Sequence, residues 1–157
     1  MDKEFEEKCL QQRTVVQPPG VINIEDIKIM RQLAEQHHNN SAYFLESAHN
    51  LIATSTSLAG LILGYFAMEH KANQLLVLQG YKVESHLCTQ MGLSRILQRK
   101  DLAKQLSDIF TLRQNIGYRL TLIQNEENKK EAEHTFAETT IPFIMEVDKL
   151  ITLLSQQ

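Results

Sequence analysis

Proline and glycine are scarce in this chain, at 3 and 6 of 157 residues, and tryptophan is missing. A fold of many strands joined by tight turns needs more punctuation than that. The glycines are scattered singly, so no glycine-rich loop is available to cradle a phosphate. There is no paired-cysteine zinc spacing and no His-Glu-x-x-His sequence, and neither a metal nor a cofactor is expected. The only two cysteines, Cys9 and Cys88, lie far apart. They read as reduced thiols of a cytosolic protein. The formal charge of −3 is wrong for a surface that tracks nucleic-acid phosphates over long distances. It leaves room for a small local site built from a few arginines.

A long apolar run is also lacking. The stretch from Ser47 to Met68 carries no Asp, Glu, Lys or Arg, but Thr54-Ser55-Thr56-Ser57 interrupts it. Its apolar pattern then continues past Glu69 and Lys71, as in a buried helix preceded by a polar turn rather than a membrane span. The first residues, Met-Asp-Lys-Glu-Phe-Glu-Glu-Lys, are charged where a signal peptide is apolar, so the expected location is the cytoplasm.

What is present is the pattern of a globular protein, 43% hydrophobic and 22% charged. One domain is expected over 1–157, with an N-terminal helix and a Pro18-Pro19-Gly20 tether in 1–22 and a helical bundle in 23–157. Phe5 and Cys9 share a side of the first helix. Asn23, followed by Glu25 and Asp26, suits the start of a second helix that carries Ile27, Met30, Ala34, Ser41, Leu45, Ala48 and Ile52. His37-His38-Asn39-Asn40 within it lies against solvent or marks a bend.

After the Thr54–Ser57 turn, Leu58, Leu61, Ile62, Tyr65, Met68, Ala72, Leu75 and Leu76 form one apolar face of a third helix. Ala59, Leu63, Phe66, His70 and Val77 form a second, and a helix apolar on two sides belongs at the centre of a bundle or interface. Gly80 ends it as a left-handed cap. Ser85 caps a short helix with Leu87, Met91 and Ile96, Asp101 opens another, and Asn125 starts the last. Pro142 should kink or split that last helix after Thr140. No convincing strand is found. The fold class is all-α, an up-and-down bundle of four to five helices.

One residue breaks the pattern. From Leu102, apolar residues recur at Leu106, Ile109, Ile116, Leu120 and Ile123, and Arg113 occupies the remaining seam position. A guanidinium on such a stripe needs carboxylates, carbonyls or phosphate oxygens around it. The segment around it also holds Asn115, Gly117, Tyr118 and Arg119. Its arginines suit phosphate oxygens, its amides suit base edges and its phenol suits stacking. Five helical steps set Arg113 and Tyr118 about 140° apart, so they converge only through a distortion near Gly117 or across a dimer. Adjacent His37 and His38 diverge by about 100° and read as solvated, as does His49. His70 reads as a core, interface or pocket residue, and His86 as a cap or loop residue.

Several landmarks, in order, resemble the HEPN superfamily (higher eukaryote and prokaryote nucleotide-binding), especially its short stand-alone archaeal and bacterial branch. Gly64-Tyr65-Phe66-Ala67-Met68-Glu69-His70-Lys71-Ala72 is similar to that branch's tyrosine-tyrosine-alanine-methionine-phenylalanine-histidine-alanine-alanine. Leu75-Leu76, Gly80 and His86 are similar to its leucine-leucine, glycine and histidine, and Leu112-Arg113 followed by Tyr118 to its leucine-arginine and aspartate-tyrosine ending. Phe5-Glu6-Glu7-Lys8-Cys9-Leu10 is also similar, so the likeness runs over nearly the whole chain.

The resemblance implies a HEPN-like bundle that forms a homodimer. Many members are metal-independent ribonucleases that use arginine and, four to six residues on, histidine. Arg113 matches the arginine, whereas Tyr118 stands where the histidine would be and Gly117 where the branch has aspartate. The resemblance therefore implies Arg113 and Tyr118 as catalytic residues of a weak or lost ribonuclease. It implies RNA or nucleotide binding through Arg113, Asn115, Tyr118, Arg119 and His70. It also implies a toxin-antitoxin-like system and a small nucleotidyltransferase as partner. The alternative is a non-enzymatic module that binds such a partner through Ala59, Leu63, Phe66 and Val77. In that case Arg113 merely satisfies a buried carboxylate such as Glu69.

Overall fold

The computed structural model describes residues 3–11, 19–118 and 126–156, with the backbone alone described for 117 and 118. It is helical, with six helices of ten residues or more among the described residues and one small ribbon of two strands. The elements are α1 (Lys3–Phe5, continued by a π turn over Glu6–Leu10), β1 (Val21–Asn23), α2 (Ile27–Ile52) and α3 (Ser57–Leu78). They continue with β2 (Tyr81–Val83), α4 (His86–Arg95), α5 (Lys100–Tyr118), α6 (Glu126–Thr135), a π turn (Phe136–Thr140) and α7 (Ile141–Leu154).

The strands correct the expectation of none. They pair antiparallel, Val21 with Val83, Ile22 with Lys82 and Asn23 with Tyr81. At three residues each they are too short for alternation to reveal them. The second helix accordingly starts later than expected. Asn23 ends β1, and Asp26 caps α2 by accepting hydrogen bonds from the amides of Lys28 (2.7 Å) and Ile29 (3.3 Å). Through His37-His38-Asn39-Asn40 the helix continues unbroken.

Small residues at a seven-residue spacing let α2 and α3 approach closely. Ala34, Ser41 and Ala48 are buried on α2, and the Ser41 hydroxyl donates to the Ala67 carbonyl at 2.8 Å. A Cβ at Gly60 would lie 2.9 Å from the Ile52 backbone nitrogen and 3.0 Å from the Ala48 carbonyl, so only glycine fits this crossing. α3 is the central element, packing against α2, α4, α5, α6 and α7. Tyr65, Met68, Ala72, Leu102, Leu106, Phe143 and Val147 fill the core around it.

Gly80 ends α3 with φ of +87°, the left-handed cap its position calls for. Pro142 does not split the last helix: α6, the π turn over Phe136–Thr140 and α7 form one continuous helical stretch, and the π turn just before Pro142 is the irregularity that accommodates it. No helix among the described residues is long and apolar enough to cross a membrane.

The cysteines require a second correction. Cys9 and Cys88 form a disulfide, with Cα atoms 5.6 Å apart, rather than a pair of reduced thiols. The π turn after α1 packs against α4 beneath Phe5, Val21, Leu76, Val83 and Met91, and this tertiary contact brings the two sulfurs together.

Candidate functional site

Helical spacing places the groups. On α3, Tyr65 and Glu69 are four residues apart and share a face, and Phe66 and His70 share the next. On α5, Phe110 and Arg113 are three apart and face α3. His86 is the first residue of α4, fixed there by Ser85, whose hydroxyl accepts from the Cys88 amide.

These groups meet against the middle of α3. The Arg113 guanidinium lies over three rings, 4.8 Å from the Phe66 centroid, 5.2 Å from Tyr65 and 5.8 Å from Phe110. It is half-buried, and among the described residues no carboxylate forms an ion pair with it. Its polar neighbour is the Tyr65 hydroxyl, which also feels the Glu69 charge. Glu69, buried on α3, pairs with Nδ1 of His86, and that nitrogen lies 3.0 Å from the Tyr65 oxygen.

A single proton assignment satisfies this group. Nδ1–H of His86 donates to the Glu69 carboxylate, with the Tyr65 hydroxyl beside that nitrogen and the Arg113 guanidinium over the Tyr65 ring. Burial, followed by the Glu69 charge, pushes the Tyr65 hydroxyl well above the ordinary phenol range, with Arg113 opposing. Tyr65 therefore stays protonated and serves as a bridge.

A row of rings leads away from Arg113. Phe66 lies 5.4 Å from Phe44 on α2, Phe44 stacks on His70 at 5.6 Å with planes 8° apart, and Nδ1 of His70 lies 2.9 Å from Nδ1 of His37. Two facing ring nitrogens share one proton. Burial, then His70, then Lys82 hold the His37 pKa down at about 4, and burial lowers that of His70 against the pull of Glu69. An open depression of about 390 Å³ lies between the His37–His70 pair and His86, lined also by Glu69, Asn73 and Thr89, among others. The Thr89 hydroxyl donates to Asn73 at 2.9 Å in its wall. Two larger depressions are each the surface of one helix, α2 or α7, and enclose nothing.

Of the residues proposed from sequence, Arg113 and His70 belong to this one region, at opposite ends of the Phe66–Phe44 row. Asn115 is half-buried two residues beyond Arg113 and points about 200° away from it around α5. Tyr118 ends α5 and Arg119 lies outside the described residues, so neither side chain is placed. The idea that Arg113 satisfies Glu69 is corrected, because His86 is the partner of that carboxylate. Of the second apolar face of α3, Val77 is fully buried and Phe66 is taken up by Arg113 and Phe44.

Sequence reasoning did not single out Tyr65, Glu69 and His86 as a group. A tyrosine and a glutamate four apart on a central helix were the available signal. The histidine that completes them comes from another element. Among the described residues, no group of three His, Cys, Asp or Glu side chains is arranged to hold a metal ion.

A comparison with protein-family models gives no match. A comparison with curated proteins gives no significant match.

Proposed function

We propose that this chain is a HEPN-type protein that binds RNA or a nucleotide at Arg113, against the middle of α3, with ribonuclease activity weak or lost. The observation that carries this reading is the state of Arg113. A half-buried guanidinium held over three rings, with no carboxylate partner among the described residues, keeps donors available for phosphate oxygens. The polar depression on the other side of Tyr65, walled by His37, His70, His86 and Asn73, has room for a base or sugar.

In this reading the protein acts as a homodimer that brings two such sites together. It works in a toxin-antitoxin-like pair with a small nucleotidyltransferase. In this reading its compartment is the cytoplasm.

The test is fluorescence anisotropy with a labelled single-stranded oligoribonucleotide. Arg113→Ala should weaken binding by roughly 10- to 100-fold, the worth of one charge-assisted contact, and Arg113→Lys should recover part of it. Wild-type and Arg113→Ala proteins that bind RNA and mononucleotides equally poorly would overturn the proposal.

A further inference from the structure

We infer that the Cys9–Cys88 disulfide is a reducible latch: a dithiol opens it in the folded protein, frees the N-terminal arm of residues 3–11 and uncovers the apolar surface beneath it. This goes beyond the RNA-binding reading and stands without it. Of the described arm residues, Phe5 and Cys9 are buried, Leu10 is half-buried and the rest are exposed. Phe5 shares its apolar cluster with Val21, Leu76, Val83 and Met91. One phenyl ring and one cross-link therefore supply most of what the arm buries. A segment with so little buried surface opens locally, well before the bundle unfolds.

The other side of the link is fixed. The Gly20 carbonyl accepts from the Glu84 amide at 2.9 Å, directly before β1 pairs with β2. A Cβ at Gly20 would lie 2.5 Å from Cys88 Sγ, so that sulfur is backed by anchored chain. Cys88 is the third residue of α4, and its amide donates to the Ser85 hydroxyl at 3.2 Å. The arm is thus the part that moves when the link opens. Its departure exposes Val21, Leu76, Val83 and Met91 and removes the covalent brace from the start of α4. That start supplies Ser85, His86 and Thr89 to the wall of the depression beside Glu69, so the redox state of two sulfurs is felt there.

Opening takes two exchange steps. Both sulfurs are buried, so attack follows a local opening of the arm. A thiolate of the dithiol bonds to Cys9 Sγ, the sulfur on the moving side, and the bond from Cys9 to Cys88 breaks. Cys88 departs as a thiolate at the start of α4, where free amides and the helix dipole favour negative charge. The second sulfur of the reductant then attacks the first, and Cys9 is expelled. The protein gains two electrons and the two thiol protons, and the dithiol is oxidised to a disulfide.

The experiment places the intact protein in reduced or oxidised dithiothreitol without denaturant. Free thiols are counted by a maleimide gel shift, and release of the arm is read from tryptic cleavage after the exposed Lys8. Reduction should raise that cleavage by roughly tenfold or more while circular dichroism shows the bundle helices unchanged. Phe5→Ala should speed reduction of the oxidised protein by roughly tenfold, since opening of the arm gates the attack. The double variant Cys9→Ser, Cys88→Ser should be cut at the fast rate in both buffers. Thiols that appear only in denaturant strong enough to unfold the bundle would overturn the latch. So would reduced protein cut at the oxidised rate, or two free thiols that persist in the oxidising buffer. If the double variant fails to fold, wild-type protein in the two buffers still decides.

Discussion

The central helix carries two polar clusters that differ in one respect, whether their charges are fully matched. Lys71 is 5% exposed, and its ammonium reaches Asp148 at 3.0 Å, Gln74 at 3.0 Å and His38 at 3.5 Å. Three donors meet three acceptors, drawn from α2, α3 and α7. Two residues earlier, about 200° around α3, Glu69 is matched by His86, but among the described residues the cluster ends in a guanidinium without a carboxylate and an imidazole nitrogen without a partner. A closed network ties helices together. An open one keeps unspent hydrogen-bonding capacity at the surface of a cavity, and that is the property a ligand site requires.

The contrast can be broken from the side of the open cluster first. The disulfide holds the first turn of α4, which carries His86. Replacing both Cys9 and Cys88 by serine should lower stability by about 4 kcal/mol, since the link closes a long loop. Amide exchange should rise in the N-terminal segment and early α4 while α7 stays protected. Equal protection in α4 with and without the link would show that packing alone sets His86.

The closed cluster gives the next largest effect. Asp148→Ala leaves Lys71 buried without its counter-charge and should cost about 3 kcal/mol in urea unfolding. Arg113→Ala should cost only about 1 kcal/mol, the loss of half-buried cation–π contacts, because no carboxylate among the described residues is left unpaired. Equal costs at the two sites would erase the distinction drawn between them.

Acid sharpens the comparison from a third direction. The His37 pKa is depressed to about 4 from an ordinary 6.5, so its share of stability is whole above pH 6.5. As pH falls from 6.5 toward 4 the unfolded chain binds a proton that the folded chain refuses, and stability declines by roughly 2 kcal/mol after allowance for partial exposure. His70, lowered by burial, adds in the same direction. Asp101, held at about 2 by Arg99, begins to protonate only below its ordinary 3.8 and stays out of this window. Urea midpoints at pH 7 and pH 4.5 should differ less in His37→Gln than in the wild type.

Much of the fold was legible because helical burial repeats every three or four residues. Leu102, Leu106 and Ile109 are buried on α5 as their spacing requires, and Arg113 follows them on the same seam. Two-sided apolarity on α3, the left-handed Gly80 cap and the helix irregularity next to Pro142 were local signals with local causes. The β1–β2 ribbon was not legible, because two three-residue segments far apart have no period of their own. Nor was the disulfide, which depends on where the chain before Gly20 returns to α4. Half of the candidate site could be read: Arg113 stood out as a charge on an apolar seam. His86 did not, since a histidine after a capping serine looks like an ordinary helix start.

Periodicity, caps and breakers along the chain thus determined which segments are helical, which faces are covered and that one guanidinium sits among apolar neighbours, since each depends on residues close in sequence. Which acid pairs with which base was decided only by tertiary structure. Glu69 had Arg113, His70 and His86 as possible partners, and the choice of His86 follows from how α3, α4 and α5 pack. Proximity between distant residues follows from helix packing, and no single segment encodes it.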